Sequence, residues 1–259
     1  NFIFIMFSYL LVYIFEKSFG FISGVSMVEL ANINKPLLKE LSEKAPGTFQ
    51  HSMQVSNLAT AAATKIGANA SLVRTGALYH DIGKMVNPAF FTENQGSGIN
   101  PHAGLPFEES ARIIINHVKD GVKIAKQNGL PQQIVDFIET HHGTSVPKYF
   151  YIQWKNVNPG KEIDEKVFRY PGPNPFSKET AIVMMADAVE ASSRSLAEYS
   201  EESFRDLVNK IIDDQVNEGY FKKAPITFRD IETVKEVFVD KLKTIYHTRI
   251  AYPELKAGG

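Results

Sequence analysis

The chain has 259 residues, 44% hydrophobic and 22% charged, a composition that supports a packed globular unit and excludes a disordered one. Its 28 basic and 29 acidic side chains give a formal net charge of −1, so no global positive field exists to hold duplex nucleic acid, and an anionic ligand must be met by a local site. Cysteine is absent, which excludes disulfides, thiolate zinc sites, iron–sulfur clusters and cysteine nucleophiles, and leaves imidazole and carboxylate to hold any metal.

The sequence begins at Asn1 rather than at a methionine and is read as a piece of a longer protein. Phe2 to Phe15 reads FIFIMFSYLLVYIF, apolar on every helical face and free of charge. At about 1.5 Å per residue it spans roughly 21 Å, less than a ~30 Å hydrocarbon core. No basic segment precedes it and no small-residue cleavage site comes after it, which argues against a signal peptide. A buried core helix is the alternative. The reading adopted is the end of a transmembrane helix over residues 1–19, with Lys17 favouring a cytoplasmic side for the rest of the chain. Residues 20–44 read as a juxtamembrane connector: a short link from Gly20 to Ser26, then a helical stretch from Met27 to Lys44 interrupted at Pro36.

Residues 45–255 read as one all-α domain, and 256–259 as a frayed tail. Thr48 is the expected N-cap of a helix bearing Val55, Leu58, Ala59 and Ala62. Ser71 is expected to cap the next, running to Gly83. Pro106 opens a helix that carries Ile113 to Val118, and Pro131 opens PQQIVDFIETHH, ended by Gly143. Gly143 to Phe176, rich in aromatics and prolines, reads as a long loop folded over something. Ser177 caps SKETAIVMMADAVEASSRSL. Phe204, Leu207, Val208, Ile211, Ile212 and Val216 form an amphipathic stripe, and Thr227 with Asp230 starts a last helix ending near Tyr252-Pro253. Strand alternation is not evident.

Histidine carries the chemistry. Five of the seven histidines sit near predicted helix ends or beside a second ligand-type residue: His51, His80 next to Asp81 in HDIGK, His117, and the pair His141-His142. Asp187 lies in the apolar stretch AIVMMADAVEA, where an unpartnered carboxylate would cost several kcal/mol and needs a cation or a good set of donors. Each signal alone has a plain reading: a lone histidine is often a hydrogen-bonded structural residue, and a His-His pair at a helix end sits well on the helix dipole. Their order is more informative than any one of them.

The order His…His-Asp…His…His-His…Asp is that of the HD superfamily, whose fold is a helical bundle with metals bound in its core. The segments ELANINKPLLKELSEKAPGTFQHSMQVSNLA, GALYHDIGKM, FFTENQ, NPHAGL, DFIETHHGTS, FRYPGPNP, SKETAIVMMADAVEASSRSL and YHTRIAYPE further resemble the cytoplasmic domain of the 7TM-HD receptors. That family includes the PgpH-type cyclic-di-AMP phosphodiesterases. The resemblance runs from about Leu30 to Glu254, and the apolar start then corresponds to the end of the last transmembrane helix. It implies a bacterial cell-membrane protein whose catalytic domain is cytoplasmic and hydrolyses cyclic-di-AMP to linear pApA.

Carried over residue by residue, the resemblance implies that His51, His80, Asp81 and Asp187 hold one metal. Asp81, His117, His141 and His142 would hold a second, with Asp81 bridging. Two metals roughly 3.5–4 Å apart can clamp one phosphate, activate a hydroxide and stabilise the leaving oxygen. A nitrogen and carboxylate environment suits iron or manganese better than structural zinc. Lys84 is a candidate phosphate contact and catalytic residue, against a plain helix-end cation. Arg194, two turns beyond Asp187, is a candidate for a second phosphate, against a salt bridge with Glu190. Tyr151 is a candidate base-stacking residue, as are Tyr149, Phe150, Phe168 and Tyr170, whose plainer role is to fill core. His102 is read as a loop residue outside the ligand set.

Two other functions compete. One is an HD hydrolase of a different nucleotide, such as cyclic-di-GMP, (p)ppGpp or a dNTP; the Gly-Tyr-Pro signature of the cyclic-di-GMP enzymes is missing after His141-His142, where the sequence continues GTSVPKYFY. The other is a non-catalytic ligand-sensing output module acting through dimer rearrangement. The sequence leaves a homodimer open.

Overall fold

Residues 181–191 are apolar on nearly every face, and a helix of that kind has to be enclosed by others. The computed structural model encloses it. The structure describes residues 22–96 and 100–246, with scattered positions between 4 and 20. From residue 22 onward the order is α1 (Gly24–Leu30), α2 (Pro36–Lys44), α3 (Pro46–Lys65), α4 (Ala70–Tyr79), α5 (Phe107–Gln127), α6 (Gln132–Thr140), α7 (Lys148–Val157), α8 (Lys178–Ser193), α9 (Glu201–Asn217) and α10 (Phe228–Tyr246). Short 3₁₀ turns at Ile82–Val86, Pro88–Phe90, Thr92–Asn94 and Glu165–Phe168 join them, and no strand occurs among the described residues.

Helix α8 is the axis. Ala181 to Ala186 and Val189 are all buried, against Val55, Leu58 and Ala62 of α3, Val73 and Ala77 of α4, Phe204, Val208 and Ile212 of α9, and Ile231, Val234 and Phe238 of α10. A second cluster joins Leu37, Leu38 and Leu41 of α2 to Leu78, Tyr79 and Ile82 behind the His80-Asp81 pair, and to Ile134, Val135 and Ile138 of α6. Full burial of one such side chain contributes about 1.5–3 kcal/mol, so these three leucines hold α2 firmly on the bundle. The residues of the connector stretch 20–44 that form α2 therefore share a core with the HD pair. A third cluster packs Phe150 and Trp154 of α7 and Phe168 and Tyr170 against Ala111, Ile115 and Val118 of α5.

Two glycines permit the close approaches that bring the site together. A Cβ on Gly76 would meet the Phe137 ring at 2.2 Å, which lets α4 and α6 touch. A Cβ on Gly83 would meet the His117 carbonyl oxygen at 1.9 Å, which seats the turn after Asp81 directly on α5.

Several local expectations need correction. Helix α1 begins at Gly24, inside the stretch expected as a link. Helix α3 begins at Pro46, so Thr48 is within its first turn; it is buried, its N–H donates to Asn94 Oδ1 and its hydroxyl to Glu93. Asn69, not Ser71, caps α4, its side-chain oxygen accepting from Leu72 N–H. That helix ends at Tyr79, and the chain to Gly83 continues as a 3₁₀ turn. The expected loop 143–176 contains α7, whose Phe150 and Trp154 are drawn into the third cluster. Ser177 does cap α8, in a reciprocal pair with Thr180, and Thr227 with Asp230 makes a similar pair at the start of α10. The run expected over 1–19 falls largely outside the described residues. The tail 256–259 and the helix end near Tyr252-Pro253 fall wholly outside them. Among the described residues no helix is long and apolar enough to cross a membrane.

Candidate metal centre

Seven side chains from five helices and the turns at their ends converge. His51 comes from α3, His117 from α5 and Asp187 from the middle of α8. His80 and His141 are the C-cap residues of α4 and α6, with Asp81 and His142 immediately after them. They form two groups, His51–His80–Asp81–Asp187 and Asp81–His117–His141–His142, in each of which one ligand-type atom per residue lies within 4.8 Å of the others.

Asp81 belongs to both, one oxygen facing each. Its Oδ2 is 3.2 Å from His80 Nε2 and 3.5 Å from His51 Nε2; its Oδ1 is 3.2 Å from His117 Nε2 and 3.5 Å from His141 Nε2. Asp187 Oδ1 lies 2.9 Å from His51 Nε2 and 3.7 Å from His80 Nε2, and its Oδ2 lies 3.6 Å from His142 Nδ1.

The outer nitrogens of the rings fix the tautomers. His80 Nδ1 donates to the Ala77 carbonyl at 2.7 Å, His117 Nδ1 to Ile114 at 2.5 Å and His141 Nδ1 to Ile138 at 2.9 Å. A carbonyl only accepts, so Nδ1 carries the proton in each ring and a neutral ring has its lone pair on Nε2. Two of those Nε2 atoms, on His117 and His141, face each other at 3.1 Å. Two bare lone pairs at that distance repel unless a cation lies near both. His80 Nε2 and both oxygens of Asp81 are buried and make no hydrogen bond of acceptable geometry, despite the short Asp81 contacts. Orphaned buried acceptors aimed at one another fit metal ions, and the donor set of imidazole and carboxylate is one that divalent transition metals take.

The electrostatics divide the centre in two. Burial disfavours charge on His51 and His80, but the carboxylates outweigh it. Hydrogen bonds to Asp187 and Glu190 raise His51, and Asp81 with Asp187 raises His80 to about 10. Burial would raise Asp81 and Asp187, yet Lys84 and His80 hold the first, and His51 and His80 the second, well below the usual carboxylate range. On the other side burial lowers both His141 and His142, and the His141 ring pushes His142 further down. The surroundings of His51 and His80 favour positive charge, and those of His141 and His142 favour the neutral ring.

Around the seven, Lys84 is tied into the site by two ion pairs rather than solvated at a helix end. Its partly buried ammonium lies 2.8 Å from Asp81 Oδ2, 2.7 Å from Glu93 Oε1 and 5.0 Å from the centre of the Phe91 ring. Arg194 makes the salt bridge to Glu190, donating to Oε1 from Nε at 2.9 Å and from Nη2 at 2.6 Å. The hydroxyl of Tyr151 donates to Glu165 at 2.7 Å, and its ring lines a cavity of about 600 Å³ that opens beside His141, His142 and Asp187. Tyr170 stacks on His142 with ring centres 4.3 Å apart. His102 bonds the Phe90 carbonyl and takes no part in either group. Sequence reading missed Glu93 and Glu190 as site residues: Glu93 was visible only as part of FFTENQ, and Glu190 only as a partner for Arg194.

The family model for the HD domain matches residues 48–192, a span that holds all seven of these residues. The chain belongs to the HD-domain family. This HD domain is 47% identical over 243 residues to the cyclic-di-AMP phosphodiesterase PgpH of Listeria monocytogenes, covering 94% of this chain and 34% of that protein. It is 44% identical over 240 residues to the PgpH of Bacillus subtilis, covering 93% of this chain and 34% of that protein. The chain thus spans about a third of the length of these relatives. It is also similar to the crystal structure of the L. monocytogenes PgpH HD domain in complex with cyclic-di-AMP: the TM-score is 0.79 at 46% identity, covering 84% of this chain and all of that one. The all-α bundle expected from the sequence is the fold found, with the histidines and aspartates gathered in its core.

Proposed function

We propose that this HD domain is a phosphodiesterase that hydrolyses cyclic-di-AMP to linear pApA with two divalent transition metals, iron or manganese, per chain. The observation that carries the reading is Asp81, one carboxylate with an oxygen turned to each of two ligand groups, beside a cavity large enough for a nucleotide. His51, His80, Asp81 and Asp187 would hold one ion, and Asp81, His117, His141 and His142 the other. When bound, such a pair supplies Lewis acidity toward a phosphate and activates water. The overall change adds one water across a phosphodiester P–O3′ bond and leaves a 5′-phosphate and a 3′-hydroxyl.

The protein's own groups do the rest. The carbonyl bonds on His80, His117 and His141 hold three rings with Nε2 turned inward before any ion arrives. Such preorganisation removes an ordering cost from binding and reaction. Lys84, between Asp81 and Glu93, keeps a cation at the cavity edge, where it can also meet a substrate phosphate. Tyr151 offers a ring face to a base and Arg169 a guanidinium to phosphate, both in the lining of the large cavity. Arg194 lines a smaller cavity with His51, Lys84 and Asp187, where a second phosphate contact would fall. The identity to PgpH and the likeness to its cyclic-di-AMP complex support this substrate over cyclic-di-GMP. The apolar run at 2–15 supports attachment to a membrane, with residues 45–255 as the cytoplasmic catalytic unit.

The test is a substrate panel of cyclic-di-AMP, cyclic-di-GMP, cyclic-GMP-AMP and (p)ppGpp with manganese- or iron-loaded protein, alongside elemental analysis of protein purified without chelator. The expected result is two transition metals per chain and the highest kcat/KM on cyclic-di-AMP. A faster cyclic-di-GMP reaction would overturn the substrate, and a stable value of one metal with full activity would overturn the shared centre.

A further inference from the structure

Among the ring nitrogens that point away from the centre, one is held differently. His80, His117 and His141 each give Nδ1–H to the backbone carbonyl three residues earlier in their own chain segment, a partner that any sequence provides. His51 instead gives Nδ1–H to a side-chain carboxylate, Glu190 Oε2, at 2.5 Å and 139 positions away. Glu190 sits on α8 one turn beyond Asp187, is itself buried, and offers its other oxygen to the guanidinium of Arg194. The chain of contacts runs Arg194–Glu190–His51–Asp187 and ends on the ligand group. Arg194 is exposed, so the array runs from the surface to the centre along one side of α8.

We propose that Glu190 is a positioning residue for His51, and that Arg194 in turn positions Glu190. The physical case has two parts. A carboxylate accepting Nδ1–H fixes the tautomer and the ring plane, so that Nε2 faces Asp187 and Asp81; and it makes that nitrogen a stronger donor to a cation than a carbonyl-bonded ring. Without Glu190, His51 would have no backbone carbonyl bond to replace it, since among the described residues the partners of its Nδ1 and Nε2 are Glu190 and the two aspartates. The loss would fall on one group of ligands, because the outer nitrogens of His117 and His141 are held by the carbonyls of Ile114 and Ile138 instead. This adds to the role weighed for Arg194: the guanidinium acts on the metal ligand through Glu190.

The inference rests on the proposal that these residues bind metal, and its main test reads metal affinity, with a substrate KM used only for the Arg194 variants. Manganese affinity and stoichiometry would be measured by titration against a competing chelator for wild type, Glu190→Ala, Glu190→Gln, Arg194→Ala and Arg194→Lys. Glu190→Ala should weaken one of the two sites by about 100-fold and leave the other at its wild-type affinity; outer partners of this kind contribute 10- to 100-fold. Glu190→Gln keeps an acceptor of the same shape without the charge, folds in the same space, and should lose only about 10-fold at the same site. Arg194→Lys should recover part of what Arg194→Ala loses. Wild-type affinity at both sites in Glu190→Ala and Glu190→Gln would overturn the proposal, as would equal weakening of both sites, which is the mark of general loosening. If the Arg194 variants raise KM for cyclic-di-AMP while both metals bind normally, Arg194 is a substrate contact and its part of the proposal fails. Wild-type protein that binds two metals but cleaves none of the panel substrates would sink the proposed reaction alone and leave the affinity comparison standing.

Discussion

On the α3–α8 side of the centre, His51, His80 and Asp187 are locked from behind by Glu190, a backbone carbonyl and the most enclosed helix in the fold, and their surroundings call for positive charge. On the α5–α6 side, burial favours the neutral form of His141 and His142 beside His117; His142 is a quarter exposed, lies under Tyr170 and faces the large cavity. The difference separates two tasks. Under the proposed two-metal reading, the group braced by Glu190 would hold the more shielded ion. Under the same reading, the group that includes His142 would hold its ion at the edge of the large cavity, where a phosphate could reach it. Asp81 is the one residue common to both groups, so it is the point at which one side can inform the other.

The largest expected effect breaks the comparison outright. Asp81→Ala removes the residue common to both groups and should lower kcat by on the order of 10³-fold or more, with metal content falling alongside. Elemental analysis and steady-state kinetics under identical metal loading check it; retention of both metals with near-normal kcat would refute the bridging role. Gly83→Ala attacks the same junction through the backbone. Its new methyl would sit 1.9 Å from the His117 carbonyl, pushing α5 away from the turn after Asp81. Overpacking of this kind costs about 1–3 kcal/mol, occasionally more, and should appear as a lower denaturation midpoint with the metal-free protein as well as the loaded one.

A subtler test sharpens the two sides. Lys84→Ala should leave both metals bound, because a protonated ammonium cannot ligate, yet reduce kcat/KM by about 10- to 100-fold if the cation meets substrate phosphate. Unchanged kinetics would confine Lys84 to its ion pairs with Asp81 and Glu93. The smallest effect belongs to the open side. Tyr170→Leu removes the ring stacked on His142 while keeping an apolar body, and should cost about 0.5–1.5 kcal/mol of stability. Thermal unfolding would measure it, and manganese titration should show the weakening at the His142 group and not at the His51 group.

The sequence alone was enough to place the five histidines and two aspartates in order, to call the chain all-α, and to mark α8 by its apolar run, interrupted only by Asp187 and Glu190, and its Ser177 cap. Those features are local: helix periodicity, capping residues and motif order are written in neighbours. The helix start at Pro46 was misplaced because Thr48 has the chemistry of a cap, and only the fold shows its hydroxyl committed to Glu93, 45 positions away. Helix α7 was hidden for a similar reason. Its aromatics read as a loop until Phe150 and Trp154 found α5 to pack on. The site obeyed the same division. Which histidines and aspartates gather was legible, but the arrangement that gives each half its character was not. That His51 leans on Glu190, that Lys84 is shared by Asp81 and Glu93, and that Asp81 turns one oxygen each way are long-range facts. A side chain's partners across the core depend on how helices cross, and a crossing is set by the joint packing of several surfaces, which no single segment encodes.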